Sequence, residues 1–200
     1  ACAVELGDLG EPIGKQDQYA AAFGGFHIYR FNPDESVSIH PVSLPDPQGW
    51  LSHLRLYYLG NQRSASAILA EQSLESAKRS KQEVLRDMVH LVDPLATALS
   101  QSNWRECGRL MHENWLLKQS LASGISDRGI QDAYRRGLEA GALGGKLLGA
   151  GGGGFMLFVV RPEDHAALDA ALSDLRPVPF QWDFEGSRII YSDEVPTLTR

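Results

Sequence analysis

The chain has 200 residues, of which 43% are hydrophobic, and its 19 basic and 25 acidic residues give a net charge of −6. This length suffices for one sizeable domain, or for one domain and part of another. The charges form no basic block, which argues against a nucleic-acid partner because nucleic acids bind clustered basic surfaces. No run of about 18 apolar residues occurs, so we expect no membrane span and no membrane partner.

The two cysteines and the start of the chain bear on its cellular setting. Cys2 and Cys107 have neither metal-ligand spacing nor the pattern of a disulfide framework. We therefore expect a reducing, cytoplasmic location and assign no metal ligand in this chain. The chain does not begin with Met, has no signal-peptide pattern, and opens on an apolar stretch that resembles the tail of a helix. From this we expect a piece of a longer protein, with a processed terminus as the alternative.

The first part of the chain is predicted to contain one helix and three strands. Residues 12–23 begin with Pro and end before two glycines, which is typical of a short helix. Alternation over residues 26–31 and the short run 37–40, separated by an Asn-Pro-Asp turn, predict a hairpin. Closely spaced prolines then indicate a connector, and residues 54–59 are strand-like.

The remainder is predicted to be mainly helical, with strands towards its end. Apolar residues recur at helical spacing between residues 84 and 99, where Asp93-Pro94 should kink or divide the helix. Two further helical faces follow, one made by Trp104, Cys107, Met111 and Trp115 and one within residues 130–141. Residues 155–160 predict a buried strand and Pro162 begins a helix. Alternation over residues 178–184, followed by 188–191, predicts a terminal β-hairpin. This order of elements predicts an α+β fold with helices on one face of a sheet.

A glycine-rich run at residues 144–155 is the most unusual stretch, and it includes four consecutive glycines. Glycine loses much conformational freedom on folding, so bare backbone must be required there. We expect a helix before the run and a strand after it, which is the wrong order for a dinucleotide-binding loop. Lys146 is followed by Leu147, whereas a Walker A loop needs Ser or Thr. The run therefore predicts either a tight packing turn or an anion-binding loop lined by N–H groups.

Asp17 is the first candidate for a catalytic role. It lies early in the predicted helix, where the helix dipole and free N–H groups stabilise a carboxylate. Such a carboxylate can orient a hydroxyl group, or accept its proton, during phosphoryl transfer. The alternative is an ordinary carboxylate on a solvated helix face.

Together these segments resemble the GHMP kinases, the superfamily of galactokinase, homoserine kinase, mevalonate kinase and phosphomevalonate kinase. Residues 10–19, followed by Gly24-Gly25-Phe26, resemble its catalytic-aspartate segment, and residues 147–155 resemble its third, glycine-rich motif. Residues 58–66 and 112–126 fall in the matching order. Within the superfamily the sequence is most similar to the D-glycero-α-D-manno-heptose 7-phosphate kinases, and the resemblance covers nearly the whole chain.

The resemblance implies two α/β sandwich domains with the active site between them. Residues 1–45 would be the end of the N-terminal, ribosomal-protein-like domain, and residues 46–200 the C-terminal, ferredoxin-like domain. The implied reaction is phosphorylation of the anomeric hydroxyl of a heptose 7-phosphate, with ATP, Mg²⁺ and the sugar phosphate as ligands. A kinase for another sugar, such as fucose or an octose phosphate, is one alternative. A non-catalytic binding or assembly domain is another.

The resemblance also assigns individual residues, beginning with Asp17 as the catalytic aspartate. The loop that supports the nucleotide would consist of Gly149, Ala150, Gly151, Gly152, Gly153 and Gly154. The candidate substrate contacts are Lys15, Gln18, Arg63 and Ser64. Lys15 is equally well explained as a solvated surface lysine, and His112 is expected to be a partly buried structural histidine.

One departure from the family concerns the ATP site. The family's Gly/Ser-rich loop for the ATP phosphates, and its first motif with a basic residue, have no counterpart before Glu11. Phosphoryl transfer depends on positioning and on charge neutralisation. We therefore expect this chain to be inactive alone, with the main ligands of ATP and Mg²⁺ lying outside it.

Overall fold

Helices and two antiparallel sheets make up the part of the chain that the computed structural model describes, namely residues 1–11, 13–60, 79–121 and 125–191. The helices are a π-helix Ala3–Asp8, α1 Gln16–Phe23, α2 Pro47–Ser52, α3 Arg79–His90, α4 Val92–Ser100, α5 Trp104–Gln119, α6 Arg128–Glu139, a 3₁₀-helix Pro162–Asp164 and α7 His165–Ala171. The strands are β1 His27–Phe31, β2 Val37–Pro41, β3 Leu54–Tyr58, β4 Gly144–Leu147, β5 Phe155–Val159 and β6 Arg176–Pro177. The α+β class is thus confirmed. None of the described helices is long and apolar enough to cross a membrane.

The sheets have simple topologies. Strands β1 and β2 form the predicted hairpin, with Tyr29 opposite Ile39. The second sheet has the order β4-β5-β3-β6, and every neighbouring pair is antiparallel. Its central strand β5 pairs with β3, Leu54 lying opposite Val159, and with β4.

Alternate residues of β5 point into two hydrophobic cores. Met156 and Phe158 belong to the first core, together with Trp115 of α5 and residues of α6 and α7. Val159 belongs to the second, where it packs with Trp50, α4 and the first turns of α5. The continuous apolar run that predicted a strand buried on both faces therefore serves two cores, although Phe155 at its start is 39% exposed.

Two boundaries in the helical part differ from the predictions. Helix α1 begins at Gln16, and Lys15 occupies the N-cap position. The long helical pattern is divided between α3 and α4 at Leu91, two residues before Asp93-Pro94. The division falls there because Pro94 has no N–H to donate and is tolerated only in the first turn of a helix. The prediction of a break was correct, and the break lies two residues before the predicted position.

The predicted terminal β-hairpin is wrong. Residues 178–191 contain no strand, and Ile189, Ile190 and Tyr191 are more than 80% exposed. The alternating aromatic residues instead cover the second core, where the Trp182 indole packs on Phe26 and donates to the carbonyl of Pro47 at 2.9 Å. The alternation of aromatic residues reflects packing of one face of this extended segment on the second core, and not pairing with a second strand.

Candidate active site

Helix α1 presents Asp17 from its first turn, where the side chain is exposed. The end of the helix is fixed by the C-terminal segment. Gly25 N–H donates to the carbonyl of Asp183 at 2.7 Å, and Ser187 N–H donates to that of Ala22 at 3.1 Å. Gly186 has a φ of +63°, and a Cβ there would lie 2.3 Å from the oxygen of Ala22. Bare glycine backbone is therefore required where this segment holds the helix that carries Asp17.

Within the glycine run, Gly144–Leu147 forms strand β4, and residues 148–154 form the loop between β4 and β5. Helix α6 precedes the run as expected, but the strand at its start was not predicted. Leu148 N–H donates to the carbonyl of Phe155 at 2.8 Å and closes the loop as a hairpin. A strand also follows, so the dinucleotide-binding interpretation still fails. The prediction missed β4 because its first two residues, Gly144 and Gly145, weaken any strand signal.

Left-handed backbone runs through this loop. The φ angle is +73° at Gly149, +111° at Gly151, +72° at Gly152 and +94° at Gly154. Only the N–H of Gly152 has a backbone partner within the described part of the chain, the carbonyl of Ile125 at 2.9 Å. The other loop N–H groups are therefore available to an anion, as in backbone nests.

Two lysines that the sequence patterns did not indicate as site residues lie beside the loop. Lys118, in the last turn of α5, donates to the carbonyl of Gly149. Lys146, on β4, donates to Oδ1 of Asn114 at 3.0 Å. Asn114 and Lys118 are four residues apart on α5 and so share one face of that helix.

Burial lowers the pKa of both lysines, and the charge of Lys146 adds to the lowering at Lys118. The pKa of Lys118 is lowered to about 8 by burial and by the charge of Lys146, while the negative charge of Asp17 opposes this shift. The pKa of Lys146 is lowered by burial. Lys118 is thus within electrostatic range of Asp17 and in direct contact with the glycine loop. It links two features that lie more than 130 positions apart in the sequence.

A cavity of about 510 Å³ opens next to these groups. Gln16, Asn114 and Lys146 form its polar part, and residues of α3, α4 and α5 form its apolar wall. Since Gln16 adjoins Asp17 in α1, the cavity extends from the start of that helix to Lys146. This shape suits a small polar ligand held at one end by charged groups.

The other predicted site residues are less well placed or lie elsewhere. Lys15 approaches Glu35 at 3.9 Å, and Gln18 donates to Glu5 at 2.8 Å, so both have partners within the chain. Arg63 and Ser64 lie outside the described residues. The imidazole of His112 stacks on the ring of Tyr134, with Nδ1 2.8 Å from the hydroxyl oxygen, which accords with a structural role.

A signal for Lys118 was present in the sequence. The apolar face of α5 comprises Trp104, Cys107, Met111 and Trp115, and Lys118 is the next position on it at helical spacing. A charged residue that continues a buried face is unusual and marks a position to examine. Asn114 carries no comparable signal, because it lies at the edge of that face.

Comparisons with known proteins relate this chain to one kinase family. Residues 95–175 match the family described as GHMP kinases C terminal. A D-glycero-alpha-D-manno-heptose 7-phosphate kinase of Campylobacter jejuni is 30% identical over 185 residues, covering 86% of this chain and 51% of that protein. A mevalonate kinase of Thermococcus sibiricus is 30% identical over 182 residues, with the same two coverages. The chain spans about half the length of the curated relatives it matches.

A solved structure extends the comparison to the fold. A D-glycero-D-manno-heptose 1-phosphate kinase from Bacteroides thetaiotaomicron is 27% identical and superposes with a TM-score of 0.61. The superposition covers 96% of this chain and 54% of that one. The likeness therefore extends over nearly the whole chain.

Proposed function

Since this chain carries the C-terminal domain of the GHMP kinases, we propose that it is part of an ATP-dependent sugar-phosphate kinase that acts on the anomeric hydroxyl of a heptose 7-phosphate. The supporting observation is that Lys118 contacts the glycine loop and lies in the field of Asp17. A carboxylate, a cation and free N–H donors are the groups that phosphoryl transfer requires in one place. The domain division at about residue 45 and a cytoplasmic location belong to the same proposal.

In this proposal Asp17 acts on the acceptor. Its carboxylate orients the anomeric hydroxyl and takes its proton as the hydroxyl oxygen forms a bond to the γ-phosphorus of ATP. The bond from that phosphorus to the β,γ-bridging oxygen breaks, and ADP leaves with the electron pair. Asp17 is exposed at the start of α1, with no side-chain hydrogen bond to any described residue, so its oxygens are free to accept.

The glycine loop would hold phosphate oxygens. Its unpaired N–H groups would donate hydrogen bonds to the ligand. A residue with a side chain would be strained at these positive φ angles, so glycine is favoured. The described residues contain no group of three or more His, Cys, Asp or Glu side chains that could hold a metal ion. Mg²⁺ that arrives on ATP takes only one or two protein carboxylates. When bound, it would neutralise charge on the phosphates.

A kinase for a different acceptor is the second candidate. It is favoured by the equal identity of this chain to relatives named for a heptose phosphate and for mevalonate. The reaction at phosphorus and the role of Asp17 would be unchanged, and only the acceptor would differ.

The test uses the full-length protein that contains this chain, with ATP, Mg²⁺ and a panel of sugar phosphates, free sugars and mevalonate. We expect turnover with a heptose 7-phosphate and a loss in kcat of at least about 10²-fold in Asp17→Asn, because general-base assistance is removed. Asp8→Asn, at another exposed carboxylate, is the matched control and should be unchanged. Near-normal turnover in Asp17→Asn would exclude the proposed role, and turnover by residues 1–200 alone would contradict the expected inactivity.

A further inference from the structure

Lys118 and Lys146 carry positive charge that the described protein does not neutralise. Each has one hydrogen-bond acceptor among the described residues, a neutral carbonyl or amide oxygen, although an ammonium group has three donors. No described carboxylate forms a salt bridge with either of them within 4.0 Å. Two neighbouring cations that are partly withdrawn from water are unfavourable without an anion.

The contrast with the rest of α5 is informative. Arg109, on the same helix, lies between Glu106 and Glu113, with nitrogen–oxygen distances of 2.7 and 2.8 Å. Arg109 thus has two carboxylate partners on this helix, whereas Lys118, at the loop, forms no salt bridge with a described carboxylate. Lys146 lines the cavity, and Lys118 contacts the glycine loop. Two cations without a carboxylate in salt-bridge contact among the described residues are better explained by an anionic ligand than by a contribution to stability.

We infer that Lys118 and Lys146, with the N–H groups of the glycine loop, form a binding site for a phosphoryl group beside Asp17. The inference deepens the proposed function, because it assigns phosphate contacts within the same site. A dianionic phosphoryl group matches two ammonium groups and several N–H donors in charge and in number of acceptors. Asn114 positions Lys146, and the carbonyl of Gly149 positions Lys118.

Two sources could supply this group: the γ-phosphate of ATP or the phosphoester already present on the acceptor. In the first case, loss of Lys118 impairs the reaction with every acceptor. In the second, it abolishes only the preference for phosphorylated over unphosphorylated acceptors. Steady-state kinetics with both acceptor forms therefore separate the sources.

The site also has a defined pH dependence. The charged groups near Lys118 are Lys146 from β4 and Asp17 from α1, and Lys81 of α3 donates to the carbonyl of Ser120 nearby. Free Lys118 loses its proton as the pH rises through about 8. Because phosphate binds the protonated form, its affinity should fall above that pH, and phosphate binding should raise the pKa of Lys118.

The experiment measures binding of inorganic phosphate to the full-length protein by calorimetry between pH 7 and 9.5. We expect Lys118→Met and Lys146→Met to weaken binding by about 10- to 100-fold, the value of charge-assisted hydrogen bonds. Arg105→Met removes the same charge from an exposed position of α5 and should bind as the parent does. Lys118→Arg keeps the charge and should retain part of the affinity, which separates loss of charge from misfolding.

The outcomes separate this inference from the proposed function. If phosphate binding depends on both lysines and falls above about pH 8, the site stands even when no acceptor is phosphorylated. If the protein is an active kinase but both Met variants keep parental phosphate affinity, kcat and KM, the site is excluded and the proposed function survives. Equal weakening by Arg105→Met, or no phosphate binding by the parent, also overturns the inference.

Discussion

Replacing Gly151 by Ala tests whether the glycine loop needs close approach as well as left-handed backbone. At a φ of +111°, a Cβ would lie 2.9 Å from Cα, 3.1 Å from the oxygen and 3.2 Å from Cγ2 of Ile125. Ile125 is fully buried, and two of the three atoms are backbone, so the neighbour cannot rotate away. The loop must move instead, and the bond from Gly152 N–H to the Ile125 carbonyl is lost.

The expected cost follows from these contacts. A non-glycine residue at this φ costs about 1–3 kcal/mol, and the lost hydrogen bond adds about 1 kcal/mol. Gly151→Ala should therefore lower the free energy of unfolding by about 2–4 kcal/mol, measured by urea denaturation of the full-length protein. It should also raise KM for ATP, because the loop donors are displaced.

Gly149→Ala and Gly154→Ala are the matched controls. Both positions have positive φ angles, but no atom lies within 4 Å of the Cβ that would be added. They should pay only the conformational cost, about 1–2 kcal/mol. If Gly151→Ala costs no more than these controls and leaves KM for ATP unchanged, close packing on Ile125 does not hold the loop.

Further predictions concern packing and pH. Gly137→Ala places a Cβ 2.4 Å from the buried ring of Phe158 and should lower the free energy of unfolding by about 1–3 kcal/mol. Gly129→Ala in the same helix meets only an ordinary contact at 3.4 Å and should leave that free energy unchanged or raise it by up to about 1 kcal/mol. Urea denaturation measures both variants, and an equal loss of stability in the two would contradict the predicted clash with Phe158. The lowered pKa of Lys118 means that the folded state binds fewer protons than the unfolded state between about pH 8 and 10.5. The free energy of unfolding of the parent, relative to that of Lys118→Met, should therefore rise with pH across that window by on the order of 1 kcal/mol after solvent screening. If this difference does not change with pH, the pKa of Lys118 is not lowered in the folded state.

Much of the fold was predictable because local patterns and tertiary packing agree. The apolar spacing of α5 and the unbroken apolar run of β5 each reflect the core that the element serves. The β1–β2 hairpin followed from alternation and from its turn chemistry. Where a segment packs without pairing, as Trp182 does on Phe26, period-2 alternation misleads, since it reports which face is buried and not which hydrogen bonds form.

The candidate site was predictable only in part, for a different reason. Asp17 and the glycine loop are unusual in sequence, and a family resemblance connected them. Lys118 is marked in the sequence only as a charged residue that continues the apolar face of α5, and Lys146 carries no such mark. Their significance depends on their surroundings in space, where they lie near each other without a carboxylate in salt-bridge contact among the described residues. No single-sequence pattern records the absence of a counter-ion.

The position of Lys118 constrains how the site would work. Its ammonium group contacts the loop that would hold phosphate, while the charge of Asp17 raises its pKa against the lowering effects of burial and Lys146. A phosphoryl dianion would shift that balance further towards the protonated form, since it adds negative charge to the same surroundings. Ligand binding and protonation of Lys118 should therefore be coupled. Lys118 would then be protonated whenever a phosphoryl group is bound beside Asp17 and the loop. Its positive charge would therefore be present when the acceptor oxygen approaches the phosphorus atom.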